Sequence, residues 1–180
     1  AALKCWGSSP GNGSASSLTP VGVTGLSSGV RAVSVGGTFA CALTIAGEVR
    51  CWGSGTLGQL GDGLVSSSAI PITPAGLANG VTQVAAGAQH ACALTAASVV
   101  RCWGWNNYGE LGHTPGTNND QSSIYGKWNL APLQAGGLTA IVVKHVAAGF
   151  GFTCVLDTGG TLSCWGDDEK GIIAFPPHAS

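Results

Sequence analysis

Cys51-Trp52-Gly53 is one of four copies of a triplet that recurs along this chain; the others are Cys5-Trp6-Gly7, Cys102-Trp103-Gly104 and Cys164-Trp165-Gly166. Successive copies are 46, 51 and 62 residues apart. A period of about 50 residues is typical of stacked supersecondary units, none of which can bury its apolar face alone. The triplet therefore predicts a repeat architecture and argues against a conventional active site.

A second cysteine lies ten residues before three of the four triplets. It occurs inside similar strand-like segments at 39–44, 90–95 and 152–157. Small residues precede each segment, as in Val84-Ala85-Ala86-Gly87, and a Gly-rich turn follows each triplet, as in 57–63. Each unit is therefore predicted to contain an inner strand, a hairpin, a turn and a further strand.

The paired cysteines fit opposite positions of a β-hairpin. If Cys41 faces Cys51, the loop is Ile45-Ala46-Gly47, with Gly where a positive φ is required. Directly opposed residues lie ~4.5–5.5 Å apart at Cα, which is within disulfide range. We expect each disulfide to add roughly 2–3 kcal/mol of stability. The predicted pairs are Cys41–Cys51, Cys92–Cys102 and Cys154–Cys164; the alternative is three pairs of reduced core cysteines.

Composition limits the classes of partner and cofactor. Only 8% of residues are charged and the net charge is −1, so no basic patch for nucleic acid is expected. No apolar run approaches the ~18 residues of a membrane span. The nine-residue gaps between paired cysteines do not resemble a zinc motif, and no His recurs in the repeat, so neither a metal nor another cofactor is predicted.

Cysteine usage points to an oxidising compartment. The chain has seven Cys and no Met, even at position 1. These features predict a secreted protein, extracellular or on the cell surface, from which a signal peptide has been removed. The alternative is a sequence trimmed at Ala1. Asn12-Gly13-Ser14 is a candidate glycosylation sequon in a Gly/Ser loop.

These anchors resemble the repeat of the regulator of chromosome condensation family. The matching residues around the third triplet are 92–95, 100–104 and 108–112. The Cys-Trp-Gly variant is similar to the secreted bacterial branch. The resemblance implies an all-β fold: a partial β-propeller of about three four-stranded blades plus an N-terminal half-blade. The nuclear member that names the family is a nucleotide-exchange factor that binds chromatin. The resemblance lies in blade-building residues, so that activity is not carried over.

The domain prediction is one repeat domain, residues 1–180, with units of about 1–50, 51–101 and 102–163 and a C-terminal end at 164–180. Such an incomplete ring would expose two sheet edges, which favour pairing with another chain. Cys5 lacks a partner ten residues upstream, which indicates an intermolecular bond or a free thiol. The apolar segment with Ile172, Ile173 and Phe175 either assists assembly or forms an ordinary last strand.

The leading hypothesis is a secreted, non-catalytic structural subunit that self-associates, as in an extracellular filament or surface assembly. The alternatives are a protein-binding module or inhibitor that uses the propeller-face loops, and a fragment of a longer closed propeller. Predicted partners are a second copy of the chain, other extracellular proteins or glycans.

The third unit carries extra length between about Gly112 and Pro132. Extended loops on rigid scaffolds often bind partners, and aromatic residues are favoured there. The alternative is that this loop folds down over an exposed blade edge. The candidate interaction residues are Trp105, Tyr125, Lys127 and Trp128.

No catalytic residues are predicted. The segment 25–29 fits Gly-x-Ser-x-Gly, but no strand-to-helix context surrounds it, which favours a simple turn. The acids at 167–169 follow the last triplet and are interpreted as a solvated turn. Glu110 aligns with Gln59 as a turn position of the repeat, and His90 occupies the slot of Phe39, which indicates packing.

Overall fold

The computed structural model describes residues 2–124, 126–138 and 141–168, and these form strands and turns without a helix. The strands in chain order are β1 (Lys4–Ser8), β2 (Ser16–Gly22), β3 (Val30–Val35), β4 (Phe39–Thr44), β5 (Val49–Gly53), β6 (Ser68–Ile72), β7 (Val81–Ala86), β8 (His90–Thr95), β9 (Val100–Trp105), β10 (Gln121–Ser123), β11 (Gly126–Gln134), β12 (Val143–Ala148), β13 (Phe152–Asp157) and β14 (Leu162–Gly166).

The described strands form four antiparallel sheets, which we number in chain order. The first sheet is β1-β2, the second is β3-β4-β5-β6, the third is β7-β8-β9-β11-β10 and the fourth is β12-β13-β14. The all-β prediction is confirmed. The third sheet departs from four strands because the extra length folds back as β10 and pairs with β11. Each Cys-Trp-Gly lies within a sheet, so a unit counted from triplet to triplet spans parts of two sheets.

The hairpin register follows the period-two pattern of the sequence. Cys41 lies opposite Cys51, Leu43 lies opposite Val49, and Thr44 N donates to Glu48 O at 2.9 Å. The β8–β9 and β13–β14 hairpins repeat this register. All three predicted disulfides are present, with Cα–Cα separations of 4.1, 4.1 and 3.9 Å.

The three hairpin turns each contain a residue with positive φ, which is glycine in two of them and serine in the third sheet. Gly47 and Gly160 have φ of 78° and 86°, and Ser98 has φ of 60°. The left-handed conformation costs a residue with a side chain about 1–2 kcal/mol. The turn that ends in Ser98 is therefore the strained member of the three.

We expect Ser98→Gly to raise the free energy of unfolding by about 0.5–1 kcal/mol, because relief of strain exceeds the added backbone entropy of the unfolded chain. Urea titration measures the change. Gly160→Ala is the matched control, since a Cβ there would contact nothing within 4 Å, and it should destabilise to a similar extent. If both variants unfold like the wild type, the turn is not strained.

The second and third sheets, which we call the inner sheets, each direct their disulfide towards the following sheet and the Trp of their triplet towards the preceding sheet. Cys41 and Cys51 pack with Ala93 of the third sheet. Trp52 points the other way and packs with Val23, which follows the first sheet. The hydrophobic cores therefore lie between sheets, and no sheet has a core of its own.

A hydrogen bond fixes the indole at two of these contacts. Trp103 Nε1 donates to Gln59 O at 2.8 Å, and Trp165 Nε1 donates to Glu110 O at 2.9 Å. Gly61 is required beside Trp103, because its φ is 70° and a Cβ there would lie 2.9 Å from Trp103 Nε1. The Trp of one unit thus packs on the Gly-rich turn of the preceding unit.

Candidate binding face

One end of the sheets carries the longest connections. There, the turns that join the first two strands of each inner sheet lie beside the end of the third strand, as Ser54 N→Thr38 O and Trp105 N→Gln89 O show, both at 2.9 Å. Adjacent turns also bond to each other, through Gly37 N→Ala88 O at 3.0 Å. We call this end the loop face; it comprises residues 36–38, 54–67, 87–89, 106–120, 124 and 149–151.

One buried carboxylate organises the long connection at 106–120. Asp120 Oδ2 accepts hydrogen bonds from Asn106 Nδ2 at 2.8 Å and Gly116 N at 3.0 Å. Its Oδ1 accepts from Asn129 Nδ2 at 3.2 Å and lies 3.0 Å from His113 Nε2. The side chain of Asp120 is 0% exposed. The connection is therefore a fixed structure rather than a loose loop.

The environment of Asp120 favours its ionised form. Burial alone would raise the pKa of this carboxyl, but its four hydrogen-bond donors outweigh burial and hold the pKa below its ordinary value. The stability that Asp120 adds is therefore present above the pKa of the unfolded chain, and it is lost as the pH falls through the folded pKa. The connection should be ordered at neutral pH and loosen in acid.

We expect Asp120→Ala to destabilise the 106–120 connection by about 2–4 kcal/mol, because it leaves several buried donors without an acceptor. Hydrogen exchange of the Gly116 amide at neutral pH measures the loss. Asp62→Ala is the matched control, since Asp62 Oδ1 accepts only a local bond from Leu64 N in the second sheet's turn. Unchanged exchange at Gly116 in Asp120→Ala would show that the carboxylate does not hold the connection.

Three of the candidate interaction residues are partly buried: Trp105, Lys127 and Trp128. Trp105 and Trp128 lie opposite each other across β9 and β11, and the ring of Trp105 packs on Gly126. Lys127 Nζ donates to Pro115 O at 3.3 Å. The structure thus brings Trp105 and Trp128 together, whereas Lys127, the neighbour of Trp128 on β11, contacts the 106–120 connection at Pro115.

Two exposed apolar side chains, one on the 106–120 connection and one in the turn after β10, are not among the residues that the sequence predicts as interaction sites. Tyr108 is 50% exposed and Ile124 is 92% exposed. Tyr108 belongs to the repeated turn, so it did not stand out. Ile124 is an aliphatic residue in an otherwise polar stretch, and that contrast could have identified it. Exposed apolar groups on a rigid loop are typical of interaction sites.

The turn of the second sheet extends this apolar surface. Gly63 N donates to Leu130 O at 2.9 Å, which places the turn against β11. The neighbouring Leu64 and Val65 are 57% and 55% exposed. With Phe150, which is 85% exposed between β12 and β13, the loop face carries exposed apolar side chains from three successive sheets.

Cys5 lies in β1, and Asn12 lies in the connection between β1 and β2. Cys5 remains a thiol in the described part of the chain and packs, half-buried, against the Trp52 cluster. Burial raises the pKa of the Cys5 thiol, which lowers its thiolate fraction at neutral pH. Asn12 Oδ1 accepts a hydrogen bond from Ser14 N at 3.0 Å in an exposed turn.

Four of the predicted interaction residues lie outside the described residues: Tyr125, Ile172, Ile173 and Phe175.

Within the described ranges, no group of three or more His, Cys, Asp or Glu side chains is placed to hold a metal ion. The same ranges contain no helix long and apolar enough to cross a membrane. Residues 25–29 form a turn between β2 and β3, with Leu26 buried and Ser27 exposed. Asp167 and Asp168 follow β14, and Glu169 lies outside the described residues.

Two curated relatives share the repeat. The RCC1 domain-containing protein RUG3, mitochondrial, from Arabidopsis thaliana is 30% identical over 175 residues, which cover 94% of this chain and 37% of RUG3. The E3 ubiquitin-protein ligase HERC2 from Homo sapiens is 34% identical over 143 residues, which cover 73% of this chain and 3% of HERC2. The chain thus spans little more than a third of one relative and a small part of the other.

The fold is similar to a chain in the crystal structure of Kap60 bound to yeast RCC1 (Prp20). The TM-score is 0.79 at 22% identity, and the match covers 98% of this chain and 42% of that chain. This likeness supports the partial β-propeller as the fold of the stacked sheets.

Two family models, both described as "Regulator of chromosome condensation (RCC1) repeat", match this sequence. One matches residues 30–59, 81–110 and 143–172, and the other matches 46–94 and 100–156. Each matched segment of the first model begins at the inner strand of a sheet and includes the hairpin that carries the disulfide. Because these matches cover more than half of its residues, the chain belongs to the regulator of chromosome condensation (RCC1) repeat family.

Proposed function

We propose that this chain is a non-catalytic protein-binding module whose loop face contacts the partner. The observation that carries the proposal is the exposure of two apolar side chains on the loop face: Tyr108, on the 106–120 connection that buried Asp120 holds in place, and Ile124, in the turn after β10. Apolar side chains on a fixed backbone lose little conformational freedom on binding, and Tyr is enriched among residues that dominate binding energy.

The similar yeast structure supports a role in protein binding. It is a complex of RCC1 with Kap60, and so it is one case of such a propeller bound to another protein. The fold by itself does not select a partner. The choice of surface in this chain therefore rests on its own exposed side chains.

We further propose that residues 1–180 act as a single repeat domain, secreted or on the cell surface. Three disulfides are present, and the reducing cytosol keeps such thiols unpaired in most proteins. Neighbouring sheets share their hydrophobic cores, which supports a single unit of folding.

The experiment is affinity capture from the extracellular fraction of the source organism. We expect the wild-type chain to retain a protein that Tyr108→Ala/Ile124→Ala releases at least tenfold more readily, because truncation of dominant contacts costs about 2 kcal/mol or more. Ile45→Ala is the matched control: Ile45 is 76% exposed on the opposite end of the second sheet. Equal capture by both variants would place the binding surface elsewhere.

Self-association is the second candidate, and the exposed face of the first sheet favours it. Trp6 is 64% exposed and Leu18 is fully exposed, whereas Trp52 and Trp103 are buried against the preceding unit. A unit earlier in a longer polypeptide would cover Trp6 in the same way as a unit of a second copy. We propose the second copy; such a head-to-tail contact, left unclosed, produces a filament.

Sedimentation velocity over a range of concentrations tests this candidate. Wild-type residues 1–180 should form species that grow with concentration, and Trp6→Ala should remain monomeric. A wild-type monomer at every concentration would rule the idea out.

A further inference from the structure

The contact between the third and fourth sheets, which we call the polar joint, differs from the contact between the second and third at matched positions. In the latter, Phe39 and Ala91 pack in one apolar cluster. In the polar joint, His90 replaces Phe39 and Thr153 replaces Ala91, with His90 Nε2 at 2.9 Å from Thr153 Oγ1. Both side chains are buried.

Glu110 is the third polar residue of the joint and occupies the position of Gln59. Its main-chain carbonyl accepts bonds from Thr153 Oγ1 and Trp165 Nε1, each at 2.9 Å. Because Thr153 Oγ1 donates to that carbonyl, His90 Nε2 is the donor to Thr153. The three residues thus link β8, the 106–120 connection and the fourth sheet.

The Glu110 carboxyl lacks a compensating charge. Glu110 is 0% exposed, and its Oε2 accepts a hydrogen bond from Tyr108 N at 2.9 Å. Its Oε1 has no hydrogen-bond partner among the described residues. The charged groups that face it are Asp120 of its own connection and Asp167 after β14, both acids.

The nearby imidazoles do not supply a cation to this carboxyl. His113, in the same turn as Glu110, pairs with Asp120. His90 is linked to Glu110 through the hydroxyl of Thr153. An ionised carboxylate or imidazolium buried without an opposite charge is costly, so the joint favours neutral forms of Glu110 and His90.

We propose that Glu110 and His90 form a proton-compensated pair that keeps the polar joint uncharged. On folding, the carboxylate of Glu110 takes up a proton from solvent and the imidazolium of His90 releases one. The two exchanges cancel, so the strength of the joint is nearly independent of pH across mildly acidic conditions. Removal of either group exposes the pH dependence of the other.

The titration of each group supports this balance. Burial raises the pKa of Glu110 from 4.5 to about 7, with Asp167 and Asp120 adding to the rise, and burial lowers the pKa of His90 from 6.5 to about 4. The stability linked to Glu110 is full below pH 4.5 and is lost as the pH rises to 7. The stability linked to His90 is full above pH 6.5 and is lost as the pH falls to 4. In the mildly acidic range between these values the two slopes have opposite signs, so they offset each other.

The test measures opening of the β13–β14 hairpin by hydrogen exchange with mass spectrometry, corrected for the intrinsic exchange rate at each pH. If the open and closed states differ by one bound proton, the opening equilibrium constant changes tenfold for each pH unit. We expect opening of Glu110→Gln to fall about tenfold per pH unit from 4.5 to 6.5, and opening of His90→Phe to rise about tenfold per unit over the same range. The wild type should change by less than about threefold.

Two further variants make the experiment specific. The double variant Glu110→Gln/His90→Phe supplies the background from all other groups, and each variant is compared with it. Gln59→Glu is the matched control: it places the same carboxyl opposite Phe39 rather than a histidine, so opening of the β8–β9 hairpin should rise with pH. If His90→Phe does not fold, His90→Gln keeps a donor for Thr153 and serves instead.

Opposite slopes in the two single variants, with a flat wild type, support the compensated pair. If both single variants follow the wild type across this range, the joint does not exchange protons and the proposal is wrong. A wild type as steep as His90→Phe also overturns it, because compensation would then be absent.

Discussion

Replacement of Trp103 by alanine is expected to lower the free energy of unfolding by about 3–5 kcal/mol, the range for truncation of a large buried aromatic side chain. Trp103 is fully buried between the second and third sheets. The variant leaves a cavity there and leaves Gln59 O without the Nε1 donor that lies 2.8 Å away. Urea denaturation followed by circular dichroism measures the change.

Trp6→Ala is the matched control because it changes the same motif in a different environment. Trp6 is 64% exposed, so its truncation should alter stability by less than about 0.5 kcal/mol in dilute solution. Equal losses in the two variants would contradict the view that the triplet stabilises the fold through contacts with the preceding unit.

Removal of the Cys92–Cys102 disulfide by double replacement with alanine is expected to cost roughly 2–3 kcal/mol. The bond closes a loop with a sequence separation of 10 residues, and its loss gives the unfolded chain more conformational freedom. Both cysteines are fully buried in the cores between sheets, so lost packing adds to this effect. Guanidinium titration without reductant measures the difference.

Cys5→Ser is the control for this experiment, since Cys5 forms no disulfide in the described structure. It should leave the stability of the monomer within about 0.5 kcal/mol of wild type. Thiol titration of the unreduced, denatured wild-type protein should detect one thiol per chain, that of Cys5. Detection of seven thiols would show that the cysteines are reduced, and the secreted assignment would lose its main support.

The hairpins could be predicted from the sequence because their contacts are local. Cys41 and Cys51 are ten residues apart, and strict alternation leaves one register that places both on the same face. The same alternation places Trp52 on the face opposite Cys51, and the two side chains do pack in different clusters. The turn that ends in Ser98 lacks the glycine found in the other two, and this difference is visible in the sequence alone.

The long connection could not be predicted in the same way because distant residues build it. Asp120 collects donors from Asn106, Gly116 and Asn129, and none of these belongs to a repeated position. The sequence predicts Trp105 and Trp128 as candidate interaction residues because they are aromatic. Their pairing across β9 and β11, which leaves Tyr108 and Ile124 as the exposed apolar groups, depends on how the strands pair.

The sequence by itself determined the repeat, the hairpin register, the disulfide pairs and the family, because each depends on residue type at short, recurring spacing. Only the tertiary structure decided which apolar side chains face solvent and which polar groups share an interior. His90 and Thr153 are 63 residues apart and meet because sheets stack face to face. The stacking that closes the cores also sets burial, and burial raises the pKa of the Glu110 carboxyl.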